Sequence, residues 1–171
     1  MGQIKNNIVM FACNQGGHFS QMMALRELFG EYKSILVTDN VRATKEMSAL
    51  QDVDAIEYIM AMAEKRKKMK GTHIKRWQHI KYYLKSFKES YGVIKKYKPA
   101  VIVSTGSNIA VALFWIGKLF GAKTIFIETR AKVYARSLTG VLVRKAANQI
   151  YVQWPEMMKL YPEAKYCGTL V

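Results

Sequence analysis

Ile8-Val9-Met10-Phe11-Ala12-Cys13-Asn14-Gln15-Gly16-Gly17-His18-Phe19-Ser20 joins an apolar run to a small-residue turn and then to a helical pattern. Six consecutive apolar residues read as a strand covered on both faces, the signature of a parallel sheet. Asn14 to Gly17 is a turn signal. Apolar residues at Met22, Met23, Leu25, Leu28 and Phe29 predict a helix that ends near Gly30.

Outward from this unit the alternation repeats. Ser34 to Thr38 reads as a second strand, closed by Asp39-Asn40, with a weaker helix over about 43–50 and a short strand over Ala55–Ile59. After Pro99, the run Ala100 to Ser104 is another buried strand. Thr105-Gly106-Ser107-Asn108 is its exit loop, and an apolar helix follows to Phe120. Lys123 to Ile127 is a strand leading into Glu128-Thr129-Arg130. A helix around 137–146 and a strand over Gln149–Val152 complete the pattern. Strands alternating with helices predict an α/β fold with a Rossmann-like, doubly wound parallel sheet. With 171 residues, half of them hydrophobic, the chain suits one domain over residues 1–171.

The formal net charge is +15. Such an excess concerns partners and not fold; nucleic acid, an anionic bilayer and phosphate-bearing substrates are the candidates. Most of it sits in one basic segment at about 61–98. Residues 61–100 hold thirteen Lys or Arg against Glu64 and Glu89. A helix over about 73–97 carries an apolar stripe of Ile74, Trp77, Ile80, Leu84, Phe87, Tyr91 and Ile94 at helical spacing. Lys65, Arg66, Lys67, Lys68 and Arg76 beside Trp77 fit a membrane surface, because basic side chains meet lipid phosphate while aromatics enter the interface. A solvated basic face is the plain alternative. No nucleic-acid reading motif accompanies the charge, so nucleic acid is not expected.

The longest apolar stretch, from Ile109 to Phe120, is too short to span a bilayer and carries Lys118. No leader-like segment precedes the first strand. Cys13 and Cys167 have no metal-ligand spacing and read as free thiols in a reducing cytoplasm. No metal and no cofactor are expected.

Two loops suit a phosphate. Gly16-Gly17-His18 follows the first strand and Ser104-Thr105-Gly106-Ser107 follows a later one. Each is a small-residue turn opening onto a helix N-terminus, where backbone N–H groups face outward. Ligands of doubly wound sheets gather at such strand exits. His18 suits a general base or a phosphate hydrogen bond. Glu128 either orients a substrate hydroxyl or caps the next element. Arg130 suits a phosphate, as do Lys132 and Arg136. Asp39 stands where a ribose-binding acid sits in dinucleotide sites, but the three-glycine fingerprint is absent. A free-standing nucleotide-cofactor enzyme and a basic surface-binding module stay as alternatives.

Gly16-Gly17-His18-Phe19, followed by Gln21-Met22, resembles the first loop of the PssD/CpsF polysaccharide-biosynthesis family, bacterial relatives of the eukaryotic Alg-fourteen subunit. Pro99 to Gly106, Gly121 to Glu128, Ser137 to Gly140 and Val152-Gln153-Trp154-Pro155-Glu156-Met157 resemble further blocks of that family. The resemblance implies a single GT-B half-domain, similar to the N-terminal domain of MurG-type glycosyltransferases. It implies a split enzyme of capsular or exopolysaccharide synthesis, peripheral on the cytoplasmic face of the cell membrane. This chain would bind a polyprenyl-diphosphate-linked acceptor at the two loops and Arg130. A PssE/CpsG-like partner would supply the UDP-sugar. In that pattern Gly-Ser is usual where this chain has Cys13-Asn14.

Overall fold

The computed structural model describes residues 8–39, 50–59 and 76–170, with side chains from residue 83 onward in the last stretch. Strands β1 (Ile8–Ala12), β2 (Lys33–Asp39), β3 (Ala55–Ile59), β4 (Val101–Ser104), β5 (Lys123–Ile127), β6 (Gln149–Val152) and β7 (Lys165–Tyr166) form one sheet. Its order is β3-β2-β1-β4-β5-β6-β7, and every pair is parallel. The chain builds outward from β1 in one direction, then returns to lay β4 on its other side. The crevice at the carboxyl ends of β1 and β4 is therefore the topological switch point.

Side-chain alternation divides the core between two faces. Met10, Ala12, Ile35, Val37, Ile102 and Phe126 point to one face. Helices α2 (Arg76–Tyr97), α3 (Ala110–Leu119) and α4 (Leu138–Val143) belong to that side. Ile94, Leu113, Phe114 and Val143 fill the space between helices and sheet. Phe114 meets Phe126 edge to face at 6.3 Å. Val9, Phe11, Leu36 and Val103 point the other way, toward Phe19 and Met22 of α1 (Gly17–Met23). Past β1 this second face thins out. Over β4 to β6 an apolar groove of about 300 Å³ lies between Val103, Ile125, Ile127 and Tyr151 and the terminal stretch Cys167–Leu170.

The predicted strands all form. Three helical expectations need correction. The first helix stops at Met23, and a turn leads into a 3-10 segment at Arg26–Leu28. After that turn Phe29 packs on Phe11, with ring centroids 4.5 Å apart. Among the stripe residues of α2 whose side chains are described, only Ile94, near the C-terminal end, is buried. Ile94 is fully buried, but Leu84 is 65% exposed and Phe87 and Tyr91 are also exposed. The pattern marks an apolar face without saying what covers it. The helix around 137–146 is shorter, because Ser137 caps it and the chain turns after Val143. The weak helix over about 43–50, apart from Leu50, and Lys65 to Lys68 lie outside the described residues. The short β7 was not expected.

Candidate functional site

The first loop leaves β1 through Gly16, at φ 83° and ψ −140°, a region open to glycine alone among ordinary residues. A Cβ there would have no atom within 4 Å, so the position borders open space. No side chain caps the start of α1. The loop is braced from below. Asn14 Nδ2 donates to Asp39 Oδ2 at 3.0 Å, and the Gln15 N–H donates to Asp39 Oδ1 at 3.0 Å. Buried Asp39 thus holds the loop, which is a different job from receiving a ribose. Burial first, and the Asp39 charge second, push the neighbouring Cys13 thiol far above its usual range, which keeps it a packing residue and not a nucleophile.

The second loop, after β4, is enclosed. Ser104, Thr105 and Ser107 are all fully buried. Gly106 has φ 100°, and a Cβ there would sit 3.3 Å from both His18 Cε1 and Thr129 Cβ. Thr105 holds His18 twice. His18 Nδ1 lies 2.8 Å from the Thr105 carbonyl, and Thr105 Oγ1 donates to the His18 carbonyl at 2.8 Å. A carbonyl only accepts, so Nδ1 carries the proton in this contact. Nε2 of the neutral ring is then left with its lone pair.

The third wall is the connection from β5 to α4. Glu128 is 1% exposed. Its Oε1 accepts from the Thr129 N–H at 2.9 Å, and its Oε2 accepts from the Ser137 N–H at 3.1 Å and the Tyr161 hydroxyl at 2.7 Å. Of the two expectations for Glu128, capping is the job these bonds perform. Burial, and then the Glu128 hydrogen bond, raise the Tyr161 hydroxyl well above its ordinary range. Gly140 makes this packing possible, since a Cβ there would overlap the Tyr161 hydroxyl.

Two glutamines tie the walls together. Gln21 donates to the Gly17 carbonyl at 3.0 Å and accepts from the Arg130 N–H at 3.0 Å. Gln153 donates to Gln21 Oε1 at 2.7 Å and to the Glu128 carbonyl at 2.9 Å, and accepts from the Leu170 N–H at 2.9 Å. Trp154 Nε1 donates to the Arg130 carbonyl at 2.8 Å. The Arg130 backbone is therefore held at both its N–H and its carbonyl. These buried amides satisfy several backbone groups at once, which makes the loops rigid.

Between the walls lies an open pocket of about 540 Å³, lined by residues that include Gly17, His18, Ser20, Arg130 and Trp154. Of the predicted phosphate-binding residues, Gly17 and Arg130 line it with His18. Ser104, Thr105 and Ser107 sit buried behind, where the sequence had them as a second cradle. Arg76 and Trp77 belong to α2, away from these loops in sequence. Asn14 Oδ1, Ser104 Oγ, Ser107 Oγ and Asn108 Oδ1 are buried without a hydrogen-bond partner. Among the described residues only Ser90 Oγ joins that list. Orphaned polar atoms thus concentrate at the strand exits of the switch point. Gln21, Gln153 and Trp154 fell inside recognisable sequence blocks, but nothing local gave them a role. Tyr161 likewise opens a block, Tyr161-Pro162 to Tyr166, that resembles the family, but nothing local gave it a role.

Residues 8–170 match the family described as Oligosaccharide biosynthesis protein Alg14 like. The chain belongs to the Alg14 family. It is 24% identical to the UDP-N-acetylglucosamine transferase subunit ALG14 of Eremothecium gossypii, over 95% of this chain and 80% of that one. The ALG14 subunit of Yarrowia lipolytica is 33% identical over 50% of this chain, a match that spans only 43% of the relative. Among solved structures, MurG of Acinetobacter baumannii superposes with a TM-score of 0.64 at 14% identity. The match covers 88% of this Alg14-family chain and 42% of MurG. A UDP-N-acetylglucosamine 2-epimerase from Rickettsia bellii gives 0.65 at 12% identity, over 95% and 45%. These likenesses support the Rossmann-like fold.

Proposed function

We propose that this Alg14-family chain is the acceptor-side half of a split glycosyltransferase. It binds a polyprenyl-diphosphate-linked sugar, and a separate donor-binding subunit brings the UDP-sugar. The observation that carries the reading is His18, clamped by Thr105 at the rim of a pocket that also holds Arg130. In the reaction, His18 Nε2 takes the proton of the acceptor hydroxyl. The hydroxyl oxygen attacks the anomeric carbon of the donor sugar. The bond from that carbon to the diphosphate oxygen breaks, and UDP leaves with the electron pair. Gly16, Gly17 and Arg130 face the acceptor diphosphate, while Ser104 to Ser107 hold His18 from behind.

The half-enzyme reading is supported by the relatives, which are named as subunits of a UDP-N-acetylglucosamine transferase. The thinly covered second face of the sheet suits a partner. The printed names of the relatives make UDP-N-acetylglucosamine the first donor to try. A PssE/CpsG-like partner, and capsular or exopolysaccharide as the product, remain the narrower form of the proposal.

Membrane attachment rests on a ridge of exposed apolar residues. Leu84, Phe87 and Tyr91 of α2 continue through Phe120, Leu119 and Trp115 at α3 to Leu142 of α4. Tyr91 meets Phe120 edge-on at 5.8 Å, and Trp115 Nε1 donates to the Leu142 carbonyl at 3.1 Å. Lys85, Lys88, Lys118 and Lys145 accompany it in sequence. An apolar ridge among lysines suits the interface of an anionic bilayer. No helix among the described residues is long and apolar enough to cross one.

The deciding experiment mixes the chain and its partner with UDP-N-acetylglucosamine and a short-chain prenyl-diphosphate sugar. Transfer is expected only with both proteins. Full activity from this chain alone overturns the split. The nucleotide-cofactor alternative loses its main support, because the Asp39 carboxylate is committed to Asn14 and Gln15.

A further inference from the structure

We infer that Trp154 is the sugar-recognising wall of the acceptor pocket, an inference that rests on the acceptor-side reading above. Three observations carry it. Trp154 lines the same 540 Å³ pocket as His18 and Arg130. It is partly buried and packed against the core, so its ring is not a loose surface side chain. Its single polar atom, Nε1, is already bonded to the Arg130 carbonyl at 2.8 Å. What the indole offers a ligand is therefore ring surface and not a hydrogen bond.

That chemistry selects a particular partner. A diphosphate gains nothing from an aromatic ring, whose face is itself electron-rich. A pyranose presents a patch of C–H groups on its ring face, which an aromatic surface covers well, while its hydroxyls look for hydrogen bonds around the rim. The pocket has both kinds of wall. Gly17 and Arg130 serve the anionic part of the acceptor, His18 meets its reacting hydroxyl, and Trp154 covers the sugar ring.

The ring is positioned for this from three sides. Gln153, the preceding residue, is 2% exposed and locked to Glu128 and Gln21. Pro155, the following residue, opens a short 3-10 segment. The Nε1 bond then ties the indole to the same loop that carries Arg130. Trp154 and the Arg130 backbone thus move as one unit, which fixes the spacing between the sugar wall and the phosphate-facing loop. Trp154 is the specificity-determining residue of this pocket.

The test compares two probes on the full chain by calorimetric titration: farnesyl diphosphate, and the same lipid carrying N-acetylglucosamine on its diphosphate. Wild type is expected to bind the sugar-bearing probe more tightly. Trp154→Ala also frees the Arg130 carbonyl, so the readout is the ratio of the two affinities: the sugar-bearing probe is expected to weaken at least about tenfold more than the bare diphosphate, which erases the preference. Trp154→Phe keeps a ring without the N–H and should retain most of the preference. Phe therefore also serves if the Ala variant unfolds, which circular dichroism will report. Equal weakening of both probes by Ala, or a Phe variant as poor as Ala, overturns the sugar-wall role while leaving the acceptor reading intact. Binding of neither probe to wild type overturns both.

Discussion

The two loops at the switch point look alike in sequence and do different work. Each leaves a parallel strand, turns through glycine and enters a helix. The first opens outward, since a Cβ on Gly16 would touch nothing. The second is sealed, with Ser104, Thr105 and Ser107 fully buried and Gly106 pressed against His18 and Thr129. One loop presents groups to the pocket and the other aims them. The lesson concerns position in the sheet. Loop chemistry alone says phosphate twice, whereas packing leaves only the first loop open.

The largest effect expected from breaking this division is on chemistry. His18→Ala should lower transfer by the reconstituted complex at least about 100-fold with little change in melting temperature. Activity within a few-fold of wild type retires His18 as the base. Next come the glycines. Gly106→Ala and Gly16→Ala both force an alanine to positive φ, which costs about 1–3 kcal/mol in either case. Only Gly106→Ala also crowds a neighbour, so denaturant unfolding should show it to be the more destabilised. Equal losses would mean that the second loop is no tighter than the first. Smaller still is Thr105→Val, which keeps the shape and removes the hydroxyl that donates to the His18 carbonyl. It should cost about 1 kcal/mol in stability and lower kcat more than it raises the acceptor KM, with Thr105→Ser restoring both.

The smallest effect is expected away from both loops. Glu57 on β3 bonds Lys96 at 2.6 Å and Tyr97 at 2.7 Å. Partial burial pushes its carboxyl up, but the hydrogen bonds from Lys96 and Tyr97 outweigh this and hold it below the usual carboxylate range. A lowered carboxyl stabilises the fold above its unfolded pKa, and that gain is lost as pH falls through the lowered value. Thermal melts of Glu57→Gln should therefore sit slightly below wild type at neutral pH and converge with it in acid. Steady-state kinetics at neutral pH should be unchanged. A kinetic effect would mean that this edge of the sheet communicates with the pocket.

The central strands were legible in the sequence because buried parallel strands leave continuous apolar runs, as at Ile8–Ala12, Ile35–Val37 and Val101–Val103, while β3, with Glu57 in its middle, was legible through its place in the alternation. Residues 165–166 make a strand too short to leave a pattern. The stripe on α2 was legible as apolar but not as exposed, because periodicity reports a face and never its cover. His18, Gly17 and Arg130 were legible as pocket residues, since strand exits follow from the fold. The glutamine ties were not. Gln21 and Gln153 are 132 positions apart, and an amide's partner is settled only once the chain has folded. Glu128 shows the same limit, with capping and substrate contact equally compatible with its local sequence.

The placement of β1 beside β4 also governs when the site comes into being. Val9 pairs with Val101 across 92 positions of chain, and closing a loop of that length costs about 4 kcal/mol of chain entropy before any pairing offsets it. His18 meets Thr105 only after that closure. A nascent chain that has displayed its glycine loop but not yet its second strand exit has no clamp on the histidine. Competence to act therefore arrives late in folding, with the seam at the middle of the sheet, and not piece by piece as the chain emerges.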